Sequence, residues 1–207
     1  MKRFAIVSAS LLCLCAQSSA QGATVPSARQ VAEKFYAAFM GLQPTQLGQY
    51  YAPNVRFKDA IFQYADRAGT LKMWGKILGA KPSPRIRYSV QKVSGDTVQG
   101  RWIADYVIFG NPVHNDITST MVIRNGQILQ HTDAFPFATW AAQAFGLKGT
   151  HLEWLAANPH FQAIVVQAFR LGVNGIQLPT LQLPTLCGIV NASPSLARVF
   201  RAKCARR

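Results

Sequence analysis

The sequence predicts an α+β fold in which N-terminal helices pack across one face of a bent antiparallel sheet. The first observation is helical spacing of apolar residues in two stretches before residue 80. The second is a change to alternating periodicity after residue 84, which gives four strand segments in succession. The third is Asn125-Gly126 between two apolar strands, a dipeptide typical of a tight hairpin because both turn positions need a positive φ.

Before the sheet, the sequence predicts two amphipathic helices, a short helix and an extended segment. Ser27 can cap the first helix, in which Val31, Phe35 and Phe39 fall on one face and are expected in the core. The second amphipathic helix stops at LGAKPSPR, which carries helix-breaking residues. In chain order these elements are expected at 28–42, 45–51, 54–59 and 67–78.

The second half of the core is predicted to be an antiparallel meander followed by helices. Because alternate side chains of a strand face the same side, a sheet that curls around a helix leaves a hollow lined by every second residue. The strands are expected at 85–93, 97–109, 113–124 and 127–135, and the later helical segments at 136–145, 151–157 and 160–171.

Residues 1–20 have the charged, apolar and small-residue order of a secretory signal peptide. The apolar run is about thirteen residues long, too short to span a bilayer. We therefore expect an exported protein, either periplasmic or secreted. The remaining chain is expected to comprise a main domain at 21–148, a helical extension at 149–172, and a Pro/Leu connector with a basic tail at 173–207.

Cys187 and Cys204 are the cysteines that remain after removal of the signal, and an oxidising compartment allows a disulfide between them, with two free thiols as the alternative. The formal net charge of +14 suits an anionic surface, a polyanion or an acidic ligand. Part of that charge lies in the last ten residues. No zinc-finger spacing, glycine-rich phosphate loop or basic-aromatic motif is present, so nucleic-acid binding, a metal and a cofactor are not expected.

His131 and Asp133 are the first candidates for chemistry. They lie two residues apart on a predicted strand and therefore point the same way, into one wall of the hollow. A desolvated carboxyl group beside an imidazole is suited to general acid–base catalysis. Two other interpretations stay open: polar lining of a binding pocket, and structural hydrogen bonding inside a core.

Four segments in this order and spacing carry a resemblance to a known family: "VAEKFYAAF", "YYAPNVRFKDAIF", "GNPVHNDITSTMVIRNGQILQHTDAF" and "WAAQAFGLKG". Together they resemble the SnoaL-like branch of the nuclear transport factor two-like superfamily. The resemblance implies a cone-shaped barrel with a strongly bent antiparallel sheet around the first helix, an apolar cavity inside, and a homodimer through the outer sheet face. It does not imply one activity, because this fold supports several enzymes and plain binding proteins.

The steroid isomerases of this superfamily provide one residue-by-residue comparison. The resemblance places Asp59 at the position of their general base. Phe35 stands where they carry an oxyanion-hole tyrosine, and Ser119 lies near the position of their protonated aspartate. Without two strong donors an enolate is not stabilised, so ketosteroid isomerase activity is not expected.

The epoxide hydrolases of the superfamily provide a second comparison. Arg101, Asp105 and Asp133 match the residue types that hold their catalytic water. Strand parity, however, puts Arg101 and Asp105 on the face opposite Trp102 and therefore outside the hollow. This triad is not expected to form.

Three functions follow as expectations. The first is an exported protein that binds a small apolar or weakly polar molecule, and the second is a cofactor-independent isomerase, hydrolase or cyclase using Asp/His acid–base catalysis. The third is an interaction module with a filled cone, whose basic tail contacts an anionic surface. The candidate catalytic residues are Asp59, His131 and Asp133, and the candidate pocket residues, which are alternatively plain core, are Phe35, Phe57, Trp74, Trp102, Tyr106 and Leu129.

Overall fold

The computed structural model describes residues 25–108, 110–146 and 156–173. The helices are α1 (Ala28–Met40), α2 (Pro44–Leu47), α3 (Arg67–Leu78), α4 (Phe137–Ala144) and α5 (Pro159–Val173). The strands are β1 (Tyr51–Lys58), β2 (Gln63–Tyr64), β3 (Arg85–Ser94), β4 (Thr97–Ile108), β5 (Asn111–Arg124) and β6 (Gln127–Ala134). The predicted signal peptide, both candidate disulfide cysteines, the Pro/Leu connector and the basic tail lie outside the described residues, as does most of the predicted segment 151–157.

The six strands form one curved sheet in the order β2-β1-β6-β5-β4-β3. Strands β3 to β6 make the predicted antiparallel meander. Strand β1, in contrast, pairs parallel with β6, so the predicted antiparallel arrangement does not extend to this pair. Parallel neighbours need a long connection, here α3 and the meander, and no local turn signal reports such a pairing.

The β5–β6 hairpin confirms the turn predicted from Asn-Gly. Asn125 and Gly126 have φ angles of 50° and 76°. Arg124 and Gln127 pair directly across them. Two consecutive residues of positive φ match the right-handed twist of the flanking strands, which fixes the register of β6.

Helix α1 forms the roof of the cone. Ser27 caps it as predicted, since its Oγ accepts from the N–H of Gln30 at 3.3 Å while Gln30 Oε1 accepts from the N–H of Ser27 at 2.9 Å. The predicted inward residues, among them Phe35 and Phe39, are buried. This face packs on β3, β4 and β5, so the concave side of the sheet closes around the helix.

Helices α3, α4 and α5 cover the part of the concave sheet face that α1 leaves open. The carboxylate of Asp66 caps α3, accepting from the N–H of Gly69 at 2.7 Å, and α3 packs on β1. Gln143 ties α4 to β5 through the backbone of His114, at 2.8 and 3.0 Å. Arg170 Nε of α5 donates to the carbonyl of Ile61 at 2.5 Å. None of the helices in these three ranges is long and apolar enough to cross a membrane.

Candidate functional site

A cavity of about 340 Å³ lies between α3, the inner face of the sheet and the C-terminal helices. Ligand sites in proteins measure about 300–1,000 Å³, so this one can hold a small molecule. Its wall is almost entirely apolar. Exposed residues at its edge, including Lys76 and Val107, mark an opening toward solvent.

Three of the predicted pocket residues line this cavity: Trp74, Trp102 and Tyr106. Trp74 comes from α3 and the other two come from β4, where their even spacing puts them on the same inward face. Ala104 lies between them on that face and also lines the cavity. The strand periodicity used in the sequence analysis therefore holds for β4.

Phe35 and Phe57 are not among the residues that line the cavity, which corrects their predicted placement. Both are buried one layer behind the wall, where their rings meet the imidazole of His131 edge-on at centroid distances of 5.5 and 5.3 Å. Phe35 reaches this position from α1 and Phe57 from β1, which pairs with β6 at His131. They shape the surroundings of His131.

Leu129 also lies off the cavity wall, because β6 is irregular at this residue. Val122 pairs with Gln130 whereas Ile123 pairs with Ile128, so Leu129 is the extra residue of a β-bulge. The bulge shifts the alternation by one position. Ile128 is therefore the buried residue here, and Leu129 is only half-buried.

His131 and Asp133 point inward together, as their spacing predicts, and are 1% and 3% exposed. Nε2 of His131 lies 3.1 Å from Oδ1 of Asp133. Asp133 lines the cavity, whereas His131 lies behind it. The second carboxylate oxygen of Asp133, Oδ2, is buried and has no hydrogen-bond partner among the described residues.

A chain of hydrogen bonds sets the tautomer of His131. The indole Nε1 of Trp74 donates to the hydroxyl of Tyr51 at 3.1 Å, and that hydroxyl lies 2.6 Å from Nδ1 of His131. An indole only donates, so the Tyr51 oxygen accepts from it and its proton is directed to Nδ1. Burial raises the pKa of Tyr51, which keeps the proton on the hydroxyl.

With Nδ1 as acceptor, the ring proton of His131 is on Nε2 and faces Asp133. Oδ1 of Asp133 receives a second donor, the indole Nε1 of Trp102, at 3.3 Å. The hydroxyl of Ser119 lies 3.0 Å from Nε2 as well. One oxygen of the carboxylate thus accepts from protein donors, while the other has no hydrogen-bond partner among the described residues.

Asp59 supplies a second carboxyl group to the wall. It follows β1, and its Oδ1 accepts from the backbone N–H groups of Ile61 and Phe62 at 2.7 and 2.5 Å. Burial raises the pKa of Asp59 to about 6, against the opposing effect of these two hydrogen bonds, and the nearby carboxyl of Asp133 adds to the rise. Asp59 therefore changes charge near neutral pH.

Tyr106, Asn115 and Trp140 form a polar cluster that no sequence pattern predicts as a unit. The hydroxyl of Tyr106 accepts from Trp140 Nε1 at 2.7 Å and from Asn115 Nδ2 at 3.5 Å. All three residues line the cavity. Tyr106 alone was predicted there, since Trp140 comes from α4, whose docking onto β5 no local pattern reports.

Arg101 and Asp105 face outward, as strand parity indicates. Arg101 forms an exposed ion pair with Asp116, and Asp105 lies 2.7 Å from Nδ1 of His114. Neither residue lines the cavity. The arrangement typical of the epoxide hydrolases is therefore absent around Asp133.

Metal ligation gains no support from the part of the chain that the structure describes. Within it, no three His, Cys, Asp or Glu side chains are grouped so that they could hold an ion. The acidic and imidazole groups at the cavity are instead engaged with indoles, hydroxyls and backbone amides.

Solved structures from bacteria share this fold. A proposed polyketide cyclase from Xanthomonas campestris has 17% identity and a TM-score of 0.51, covering 56% of this chain and 96% of its own. A proposed hydroxylase from Streptomyces galilaeus has 14% identity and a TM-score of 0.51, covering 66% and 97%. A hypothetical protein with a ketosteroid isomerase-like fold from Catenulispora acidiphila, in complex with trimethylamine, has 17% identity and a TM-score of 0.50, covering 59% and 95%.

At identities this low, the similarity to these structures shows only that the fold is shared. A comparison with functionally curated proteins finds no match. The sequence model of the SnoaL-like domain, in contrast, matches residues 32–131, which run from α1 to His131 on β6. From this match and the curved six-stranded sheet around the N-terminal helices, we conclude that the chain contains a SnoaL-like domain.

Proposed function

We propose that this protein binds a small, largely apolar molecule in the cavity beside Asp133. The observation that carries the proposal is a ligand-sized hollow whose apolar wall holds a buried carboxylate with one unpaired oxygen. A cone filled by side chains, the basis of the interaction-module expectation, does not fit this hollow. The bound trimethylamine of the Catenulispora acidiphila protein is in keeping with small-molecule binding by this fold.

The unpaired oxygen of Asp133 supports a ligand with one polar group. A buried polar atom without a partner costs free energy, and more when it carries charge. Oδ1 already accepts from Trp102 and His131, so only Oδ2 is left for a ligand. A ligand hydroxyl or amine that donates to Oδ2 would remove that cost.

A test of binding uses phenylcyclohexane, an apolar probe, followed by intrinsic tryptophan fluorescence and by titration calorimetry. Three indoles line the cavity, so binding should change the emission of the wild-type protein. Ala104→Leu fills the cavity from β4 and should abolish binding, whereas Ala134→Leu on the exposed face of β6 should not. Equal binding by wild type and Ala104→Leu would contradict the proposed site.

A second candidate function is cofactor-independent acid–base catalysis on the bound molecule. Two carboxyl groups on one apolar wall favour it, because one of them, Asp59, has a pKa raised to about 6 by burial. A general acid or base works best with a pKa near the operating pH. In this proposal Asp133 and Asp59 exchange protons with the ligand, and His131 orients Asp133.

Proton exchange on a bound ketone tests this candidate without knowledge of the natural substrate. In D₂O, wild-type protein should catalyse deuterium incorporation next to the carbonyl of 4-phenylcyclohexanone, detected by mass spectrometry. Loss of a general base costs about 10²–10⁴-fold in rate, so the exchange rate of Asp59→Asn, whose carboxyl lies near Tyr106, should fall by a factor in that range. Binding without any catalysed exchange would leave the binding function and exclude this proton-transfer activity.

We also propose export, on the signal-like residues 1–20, together with a homodimer and a contact between the basic tail and an anionic surface. Mass spectrometry of the mature protein from its native host should find an N-terminus near residue 21. Sedimentation of the purified protein without vesicles tests the dimer. Sedimentation with anionic vesicles, for the full chain and for a variant that lacks the connector and tail at 173–207, tests the tail contact. An intact N-terminus, a monomer, or vesicle binding unaffected by the truncation would contradict the respective proposal.

A further inference from the structure

We propose that the hydroxyl of Tyr106 donates a hydrogen bond to the ligand, and that the ligand is therefore an apolar molecule with an acceptor oxygen at one end and a donor group at the Asp133 end. This inference rests on the proposed binding function and names the class of ligand for the same cavity. Carbonyl or ether oxygens are suited to the Tyr106 end. A hydroxyl or amine is suited to the Asp133 end.

The hydrogen bonds around Tyr106 leave its proton available. A hydroxyl has one proton and two acceptor lone pairs. Trp140 Nε1 donates to this oxygen at 2.7 Å, and Asn115 Nδ2 donates to it at 3.5 Å. Both lone pairs are thus engaged, and the proton has no acceptor among the described residues.

The proton also stays on the oxygen. Burial raises the pKa of Tyr106 to about 12, so the hydroxyl is neutral throughout the physiological range. The donation from Trp140 polarises the O–H bond and strengthens it as a donor, because hydrogen bonds in a chain reinforce one another. Tyr106 therefore offers a fixed donor and does not act as a base.

Other donors on the wall are already occupied. The indole N–H groups that line the cavity are directed at protein atoms: Trp74 at Tyr51, Trp102 at Asp133 and Trp140 at Tyr106. Lys76 is exposed at the edge of the cavity. Within the described part of the wall, the neutral donors left for a ligand are the half-buried Tyr106 hydroxyl and the second N–H of the Asn115 amide that donates to it.

The two polar ends are separated by apolar wall. Asp133 pairs with Ser119 on β5, and Asn115 lies four residues before Ser119 on the same strand. At the rise of a β-strand this separates the two strand positions by about 13 Å. Ile117, between them, is buried and lines the cavity. An apolar body with polar groups at its two ends fits that order.

The test compares phenylcyclohexane with 4-phenylcyclohexanone, which differ by one carbonyl group, at pH 8. At this pH the carboxyl of Asp59, whose pKa is raised to about 6, is ionised and donates no proton, so the hydroxyl that Tyr106→Phe removes is the neutral donor under test. A neutral hydrogen bond contributes about 0.5–1.5 kcal/mol, so wild-type protein should bind the ketone about 2–12-fold more tightly. Tyr106→Phe should bind the two probes equally.

An infrared measurement reads the hydrogen bond directly and does not depend on affinity. The carbonyl stretching frequency of 4-phenylcyclohexanone bound to wild-type protein should be lower than its frequency in hexane, because a hydrogen bond weakens the C=O bond. In Tyr106→Phe it should return toward the hexane value. Tyr88→Phe is the matched control, since the Tyr88 hydroxyl donates to the carbonyl of Glu33 at 3.2 Å and does not line the cavity. Tyr88→Phe should retain the wild-type ratio of affinities for the two probes and the wild-type frequency of the bound carbonyl stretch.

Two results would overturn the inference in different ways. If both probes bind wild type with equal affinity and the carbonyl stretch is unshifted, Tyr106 is not a ligand donor, while binding in the cavity stands. If neither probe binds, the proposed function fails and this inference fails with it. The wild-type comparison needs no variant, so a folding defect in Tyr106→Phe leaves the inference testable.

Discussion

His131 donates from Nε2 to Oδ1 of Asp133 across 3.1 Å, although the two residues are only 1% and 3% exposed. The direction of this hydrogen bond is set on the far side of the ring, where the Tyr51 hydroxyl donates a hydrogen bond to Nδ1. The consequence is a carboxylate with protein donors at one oxygen and no partner among the described residues at the other. The binding and the proton transfer proposed for this site both depend on that asymmetry.

Replacing Tyr51 with Phe removes the hydroxyl that joins Trp74 to His131. Two buried groups then lose a partner, at about 1–3 kcal/mol each, so the free energy of unfolding should fall by about 2–6 kcal/mol. Urea denaturation measures this. Tyr50→Phe is the control, because the Tyr50 ring contacts Phe35 while its hydroxyl takes no part in the hydrogen bonds between Trp74 and His131. This variant should change the free energy of unfolding by less than about 0.5 kcal/mol.

Replacing Asp133 with Asn distinguishes a ligand-binding role of this carboxylate from a purely structural role. The amide oxygen can still accept from Trp102 and His131, while the charge at the unpaired oxygen disappears. We expect the free energy of unfolding at pH 7 to rise by about 1 kcal/mol, as happens when a strained functional group is relieved. Affinity for 4-phenylcyclohexanol, whose hydroxyl donates to the carboxylate, should fall at the same time.

The contrary result for Asp133→Asn is equally clear. A loss of more than about 2 kcal/mol in stability, with unchanged affinity for 4-phenylcyclohexanol, would assign Asp133 to structural hydrogen bonding. Asp96→Asn is the control, which measures how far an Asp-to-Asn change at an exposed position alters stability and affinity. Its carboxylate pairs with Arg124 at an exposed site, where ion pairs contribute little.

Asp59 should make the protein less stable as pH rises from 4 to 6. Its pKa is about 6 in the folded protein and 3.8 for the unperturbed group, so the folded state binds the proton more tightly between these values. Stability falls with pH wherever the folded state holds more protons. The contribution is complete below about pH 4, is lost by about pH 6, and is of the order of 1–3 kcal/mol.

Chemical denaturation of wild type and Asp59→Asn across this pH range measures the effect. The variant lacks the titrating group but keeps an oxygen for the amides of Ile61 and Phe62, so its advantage over wild type should grow from pH 4 to pH 6. Asp116→Asn should not reproduce this, because Arg101 lowers the pKa of Asp116. Parallel pH curves for wild type and Asp59→Asn would contradict the assignment.

The sequence predicted much of the fold because its signals are local. Periodicity gave the bounds of α3, and Asn125-Gly126 gave the β5–β6 turn. The parallel pairing of β1 with β6 could not be predicted in this way. It joins segments separated by most of the domain, and neither strand carries a mark of its partner.

The candidate site was predictable only in part. Strand parity placed His131 and Asp133 on one inward face, but the bulge at Leu129 shows how one extra residue changes the parity of its own strand. Tyr51 was missed because its hydrogen bond to His131 depends on the β1–β6 pairing. A tyrosine beginning an apolar strand was the available signal, and it is a weak one.

The most direct test of the account is a crystal structure of the protein soaked with (4-bromophenyl)cyclohexane, with bromine located by its anomalous scattering. The account predicts a bromine peak inside the cavity, between α3 and the inner face of β4 and β5, with Oδ2 of Asp133 on the wall beside the probe. An interior filled by side chains, or bromine bound only on the outer surface, would contradict the proposed binding site.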